Sequence, residues 1–233
     1  MKFEGPIACV FAHPDDEVLG FGATSHNLSL QGIEVYPILV SGQADKRYKG
    51  DNKNDIEKKC RKACSIIGAK EPLFGDFPNL ALHNVDSFKI VNFIENAFIS
   101  IKPKIVVTHH PGDLNIDHKV LSDLCLAACR LPQRRPDLNL PLIRKVLFSE
   151  ILSSTEWAYP TKNNQFKPNH YFQIQKDNLD KKILALEAYK NVIRKTPHPR
   201  NKKTINALAT LRGSESGVEY AESFEACFSL YAI

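Results

Sequence analysis

Two short apolar runs in this chain of 233 residues each end in a dense polar cluster, and that repeated design limits the possible folds more than any other feature. The first run, Ile7-Ala8-Cys9-Val10-Phe11-Ala12, breaks into His13-Pro14-Asp15-Asp16-Glu17. The second, Ile105-Val106-Val107, leads into Thr108-His109-His110-Pro111-Gly112-Asp113-Leu114-Asn115-Ile116-Asp117-His118. A β-branched and apolar run of this kind reads as a buried parallel strand. Its polar residues then fall at the carboxyl end, where open α/β sheets place their sites. If the two strands are parallel neighbours, the two clusters meet.

The side chains set the chemistry that such a meeting allows. His13 and Asp16, three residues apart across a proline-stiffened turn, could offer one nitrogen and one oxygen to zinc. His118 could complete a His/Asp/His set that leaves a fourth position open, as a catalytic zinc requires. Asp15 is left free to act as general base towards a water acidified by the metal. Asp117, beside His118, could orient an imidazole. Glu17 reads as an acid in the first turn of the next helix. The plainer alternative is that the three carboxylates only cap that helix. His109 and His110 read more readily as packed or hydrogen-bonded strand-end residues than as ligands.

Along the chain, strand and helix patterns alternate. Strands are expected to about Ala12 and over Ile33–Val40, Pro72–Phe77 and Lys104–Thr108. Helices are expected over Glu17–Gln31, Ile56–Ile67, Ser87–Ile101 and Lys119–Arg130, with a polar loop from Gly42 to Asn54. This is the βαβ rhythm of an α/β, Rossmann-like three-layer fold, a mostly parallel sheet with helices on both faces. A Pro-rich stretch, Leu131 to Pro141, reads as a loop, and Arg144–Ile151 and His170–Gln175 as strands. Residues 131–175 are therefore expected as an extension at the sheet edge of a single domain, 1–233. Helices are expected over Asn178–Ile193 and Lys203–Leu211, and Glu222–Leu230 is an apolar segment of undetermined type.

The pattern Ala12-His13-Pro14-Asp15-Asp16-Glu17, followed some hundred residues later by Asp113-x-x-x-Asp117-His118, resembles the PIG-L/LmbE-like family of zinc-dependent N-deacetylases. Val40-Ser41-Gly42 resembles the family's strand-end turn. Arg212-Gly213, Gly217, Tyr220-Ala221-Glu222 and Phe224 resemble its carboxy-terminal stretch, so the likeness covers most of the chain. It implies removal of acetyl from an N-acetylglucosamine-type amino sugar, free, lipid-linked or nucleotide-linked. It further implies zinc on His13, Asp16 and His118, Asp15 as base and Asp117 in support. Members often self-associate, so a homo-oligomer is one arrangement the resemblance allows.

One departure from the family pattern matters. Many members carry His-Pro-Asp-His where this chain has Asn115-Ile116-Asp117-His118, and an Asn can donate a hydrogen bond but cannot deliver a proton at neutral pH. His198, in the rigid segment Pro197-His198-Pro199-Arg200, is a candidate for proton donor or oxyanion partner, against the alternative of a histidine held only by local proline geometry. The family's Arg in the helix after the second strand has no clean match among Lys58, Lys59, Arg61 and Lys62. Tyr48, Trp157 and Tyr159 could stack on a sugar or serve packing alone.

Other function classes fit less well. The net charge of +5 is interleaved along the chain and not gathered in a stripe, which argues against a dedicated nucleic-acid binder. No G-x-G-x-x-G follows the first run, so a dinucleotide cofactor is not expected. The six cysteines fit no zinc-ribbon spacing and read as buried, reduced thiols. With neither a leader pattern nor the ~20-residue apolar stretch of a membrane span, the chain reads as cytoplasmic. Hydrolysis of a different amide or acyl bond, and a catalytically silent sugar- or nucleotide-binding module, remain as alternatives.

Overall fold

The computed structural model describes residues 4–42, 52–158 and 165–231. In chain order the first half runs β1 (Ile7–Phe11), α1 (Asp16–Leu30), β2 (Val35–Ser41), α2 (Lys53–Ile66), β3 (Leu73–Phe77), α3 (Ser87–Ile101), β4 (Ile105–His109) and α4 (Ile116–Cys129). There follow a one-turn helix α5 (Leu131–Arg134), β5 (Lys145–Ser149), β6 (His170–Ile174), α6 (Lys176–Ala188), α7 (Lys202–Ser216) and β7 (Tyr220–Ser229). All seven strands join one sheet in the order β3-β2-β1-β4-β5-β7-β6. The pairings from β3 to β5 are parallel, and β7 is antiparallel to both its neighbours. The protein is thus an α/β three-layer fold of Rossmann type.

Alternation along each strand feeds two cores. Ile7, Cys9 and Phe11 of β1 face the layer of α1, α2, α6 and α7, packing with Phe21, Ala63, Ile183 and Ile205. Ala8, Val10 and Ala12 face α3 and α4, against Ile94, Phe98 and Leu121. Because β1 is covered on both faces, it carries an unbroken apolar run, as a central parallel strand does. Between β1 and β4 the strand order reverses direction, and the crevice outside their carboxyl ends is the switch point of the sheet.

Several elements differ from expectation. β5 lies inside the sheet, between β4 and β7, so among the described residues of 131–175 only β6 forms an edge. The Pro-rich stretch opens with the short helix α5, whose Pro132 sits in the first turn, where its missing N–H costs nothing. Helix α6 stops at Ala188 instead of Ile193, because Tyr189 turns to extended backbone and carries its phenol into the core. Helix α7 continues past Leu211 through Gly213, where a Cβ would lie 2.5 Å from the Glu219 carbonyl oxygen, and ends at the left-handed Gly217. The closing segment is strand β7. Most of the expected Gly42–Asn54 loop, with Tyr48, and also Tyr159 lie outside the described residues. The thiols are free, but Cys227 is exposed, not buried.

Candidate metal centre

Parallel pairing sets Val10 opposite Thr108, so the turns leaving β1 and β4 share one end of the sheet. His13 in the first turn, Asp16 at the start of α1 and His118 in the first turn of α4 converge there. His13 Nδ1 and His118 Nε2 each lie 3.2 Å from Asp16 Oδ2 and 3.3 Å from one another. Ligands roughly 2.0–2.1 Å from a tetrahedral zinc stand about 3.3–3.4 Å apart, so the three atoms match one face of such a tetrahedron.

The outer nitrogens of both imidazoles stand beside carboxylates, with a hydrogen bond at His13 and an ion-pair contact without hydrogen-bond geometry at His118. His13 Nε2 lies 3.0 Å from Asp117 Oδ2, and His118 Nδ1 lies 3.2 Å from Asp113 Oδ1. Placing the ring protons on these outer nitrogens turns both lone pairs inward, the arrangement common to histidine metal ligands. Asp117 is held in turn by the backbone N–H groups of Leu80 (2.6 Å) and Leu82 (3.0 Å). Asp113 accepts hydrogen bonds from Ser154, Thr155 and the Asn115 N–H.

Electrostatics favour positive charge at the point of convergence. Burial alone would lower the His118 pKa, yet Asp16 and Asp113 push it up to about 10. Burial opposes ionisation of Asp16, but His118 and His13 hold its carboxyl well below the usual range. Asp16 Oδ1 is buried without a hydrogen-bond partner among the described residues, so the carboxylate's charge is incompletely met by the protein. The donor set of two imidazoles and one carboxylate suits zinc.

Asp15, between these ligands in sequence, takes the left-handed backbone region at φ 118°, a strained conformation for a side chain with a Cβ. Its carboxylate does not cap α1. Instead Asp15 Oδ2 accepts from Arg200 Nη1 at 2.8 Å. Burial lifts the Asp15 carboxyl to about 6, and Arg200 works against that rise. The reading of these carboxylates as simple caps therefore fails for Asp15 and Asp16. Glu17 lies in the first turn of α1 as expected, but it is buried there. Burial pushes it up to about 8, and it accepts hydrogen bonds from the Asp15 N–H at 2.9 Å and from the Tyr189 hydroxyl.

The remaining candidates take different places. Asn115 caps α4, its Oδ1 accepting from the Asp117 N–H at 3.0 Å. His109 Nε2 accepts from the Ala12 N–H at 2.8 Å while its ring stacks on His118, so its lone pair is already used. His110 Nδ1 accepts from the Gly112 N–H, and its Nε2 faces Glu225. His198 Nδ1 accepts from the Arg200 N–H at 3.0 Å. Arg61 pairs with Glu57 and Glu71. Trp157 is half exposed. Arg212 forks onto Glu150, and Glu222 pairs with the buried Lys182 while accepting from the Ala23 and Thr24 N–H groups. The carboxy-terminal motif thus ties β7 to α1 and α7 to the end of β5.

Sequence reasoning missed two residues of the cluster. Asp113 is the first acid of the D-x-x-x-D-H pattern, and that position was its available signal. Arg200, at the end of Pro197-His198-Pro199-Arg200, reaches Asp15 from 185 residues away, and no local spacing marks it.

Fold and cluster together define an α/β protein with a candidate cation site at the switch point of its sheet. The PIG-L family, described as GlcNAc-PI de-N-acetylase, matches residues 8–129, and the chain belongs to this deacetylase family. An uncharacterised deacetylase of Escherichia coli K12, YaiS, is 28% identical over 133 residues, 54% of this chain and 70% of its own. Among solved structures, the N,N'-diacetylchitobiose deacetylase of Pyrococcus horikoshii superposes with a TM-score of 0.70 at 18% identity, covering 94% of this chain and 82% of its own. GalB of Pseudomonas putida, a 4-carboxy-2-hydroxymuconate hydratase, superposes with a TM-score of 0.75 at 17% identity, covering 97% and 98%. At these identities the two structures share the fold. That one of them is a hydratase illustrates that function resides in the site.

Proposed function

We propose that this protein is a zinc-dependent hydrolase that removes the acetyl group from an N-acetylglucosamine-type amino sugar, free, lipid-linked or nucleotide-linked. One observation carries the reading: the His13, Asp16 and His118 ligand atoms form a tetrahedral face, and the intervening residue, Asp15, offers a carboxylate that caps nothing. The sugar class is supported by the description of the family and by the chitobiose deacetylase among the structural neighbours.

Zinc held by His13, Asp16 and His118 would polarise the amide carbonyl and acidify a water. Asp113 and Asp117 keep the two imidazoles aimed. Asp15 takes a proton from the attacking water, and a carboxyl lifted to about 6 is a better base than an exposed aspartate. With Oδ1 of Asn115 used by the helix cap, its amide N–H groups are left to donate to the developing oxyanion. Asp15 then returns its proton to the nitrogen as the C–N bond breaks, releasing acetate and the free amine. His198 is the second candidate donor, because the bond into Nδ1 places its proton on Nε2. His198→Ala turnover within a few-fold of wild type would remove it from that role.

The deciding experiment measures acetate release from a panel of N-acetyl amino sugars by metal-stripped protein refilled with zinc, beside Asp15→Ala. Zinc-dependent release that Asp15→Ala abolishes is the expected result. Stoichiometric zinc without acetate release would overturn the substrate class and move the search to other acyl groups and to hydration of the kind GalB performs.

A further inference from the structure

Arg200 stands in a corner built to hold it still. Asn201 caps α7 through the Thr204 N–H at 3.0 Å and donates from Nδ2 to the His198 carbonyl. The imidazole of His198 accepts the Arg200 N–H, so the residue is fixed from both sides of the chain. Its guanidinium is tied at a second edge, Nε donating to the Leu152 carbonyl at 3.1 Å and to Ser153 Oγ at 2.7 Å. The other edge delivers Nη1 to Asp15 Oδ2, with both side chains largely shielded, at 20% and 13% exposure. Asp15 Oδ1 takes no hydrogen bond from the described residues.

We infer that Arg200 is the positioning residue of the general base. A planar fork anchored on the Leu152–Ser153 turn fixes one carboxylate oxygen of Asp15 and leaves the other aimed at the water. An ammonium could supply the charge but not the two-edged anchoring. The Pro197–Asn201 corner, which in sequence points to its histidine, delivers its arginine, and His198 serves as the brace. The energetic logic is that of orientation: the strained backbone of Asp15 sets where the side chain starts, and Arg200 sets where it ends.

For its activity arm, this inference rests on the deacetylase reading. Arg200→Ala is expected to lower kcat on the order of 100-fold, the scale of a small misplacement of a reacting group. KM should stay within about three-fold and zinc remain at one per chain. Added methylguanidinium should restore part of the lost turnover, whereas Arg200→Lys should not. A kcat within three-fold of wild type, or a rise in KM alone, would overturn the inference. So would a loss that tracks a lowered Tm and is not rescued. Asp15→Ala on the same substrate separates these outcomes, since acetate release surviving that change sinks the proposed function instead. Crystal structures of the zinc-loaded wild type and Arg200→Ala give an answer without any substrate. The Asp15 carboxylate should leave its wild-type rotamer in the variant, and an unchanged rotamer would overturn the inference.

Discussion

Asp16 and Glu17 are adjacent, both buried, and belong to two trios of side chains that by distance alone could each hold a cation: His13/Asp16/His118 and Glu17/Cys60/Cys64. Their electrostatics are opposite. Asp16 is surrounded by imidazoles and stays ionised, while burial keeps Glu17 protonated to about pH 8 beside a phenol and two thiols. Tyr189 and Cys60 bring their own hydrogens to Glu17 Oε1, and Cys60 lies 3.9 Å from Cys64. The carboxyl thus meets only hydrogen donors, the Asp15 N–H among them, which partly offset the burial that raises its pKa, and among the described residues no positive group faces it. In the first trio the carboxylates of Asp16, Asp113 and Asp117 surround two imidazoles and favour positive charge among them. Convergence alone therefore does not make a cation site. The groups one shell further out decide whether the cluster calls for a metal or for a proton.

The largest effects should come from the charged trio. Asp16→Ala is expected to take zinc from one per chain to none, measured by metal analysis after dialysis. Asp15→Ala should keep the metal and lose activity on the order of 10³-fold.

The neutral trio should show itself in stability. The Glu17 carboxyl sits at about 8 in the fold against an ordinary 4.5. The folded state thus binds the extra proton, so this contribution is full below pH 4.5 and is lost as pH rises through 8. The change is on the order of 5 kcal/mol by linkage. Wild-type Tm should fall relative to that of Glu17→Gln between pH 5 and 8, and parallel curves would break the contrast between neighbours.

Smaller effects test the outer groups. Asp113→Asn and Asp117→Asn should each weaken zinc binding about 10- to 100-fold, read by chelator competition. Cys60→Ser with Cys64→Ser should leave zinc stoichiometry at one, and a second zinc in wild type that this pair removes would show that both trios bind metal.

How much of this was legible depends on how local the cause was. Helix α3 could be read to its ends because Asp86 caps it and its apolar stripe at Ile90, Ile94 and Ala97 faces one core. β1 and β4 announced themselves as apolar runs, and their polar ends followed from parallel pairing. Arg200, Tyr189 and the interior place of β5 were not legible, since each depends on which distant segment the chain meets. Tyr189 leaves α6 to reach Glu17, and β5 is internal only because β7 returns antiparallel beside it. Glu17 could be read as an acid, but its charge state is set by burial, opposed by a phenol that lies beyond the end of α6.

The interior position of β7 also orders events in time. β7 is the last described strand, yet it separates β5 from β6, and among the described residues β6 has no other neighbour in the sheet. As the chain leaves the ribosome, the parallel half can assemble while the open edge of β5 and the whole of β6 wait for residues 220–229. During that wait both present unpaired backbone groups, the kind of surface on which nascent chains join one another. A chain halted before Tyr220 would keep those edges open permanently, and self-association is the expected fate of such a fragment.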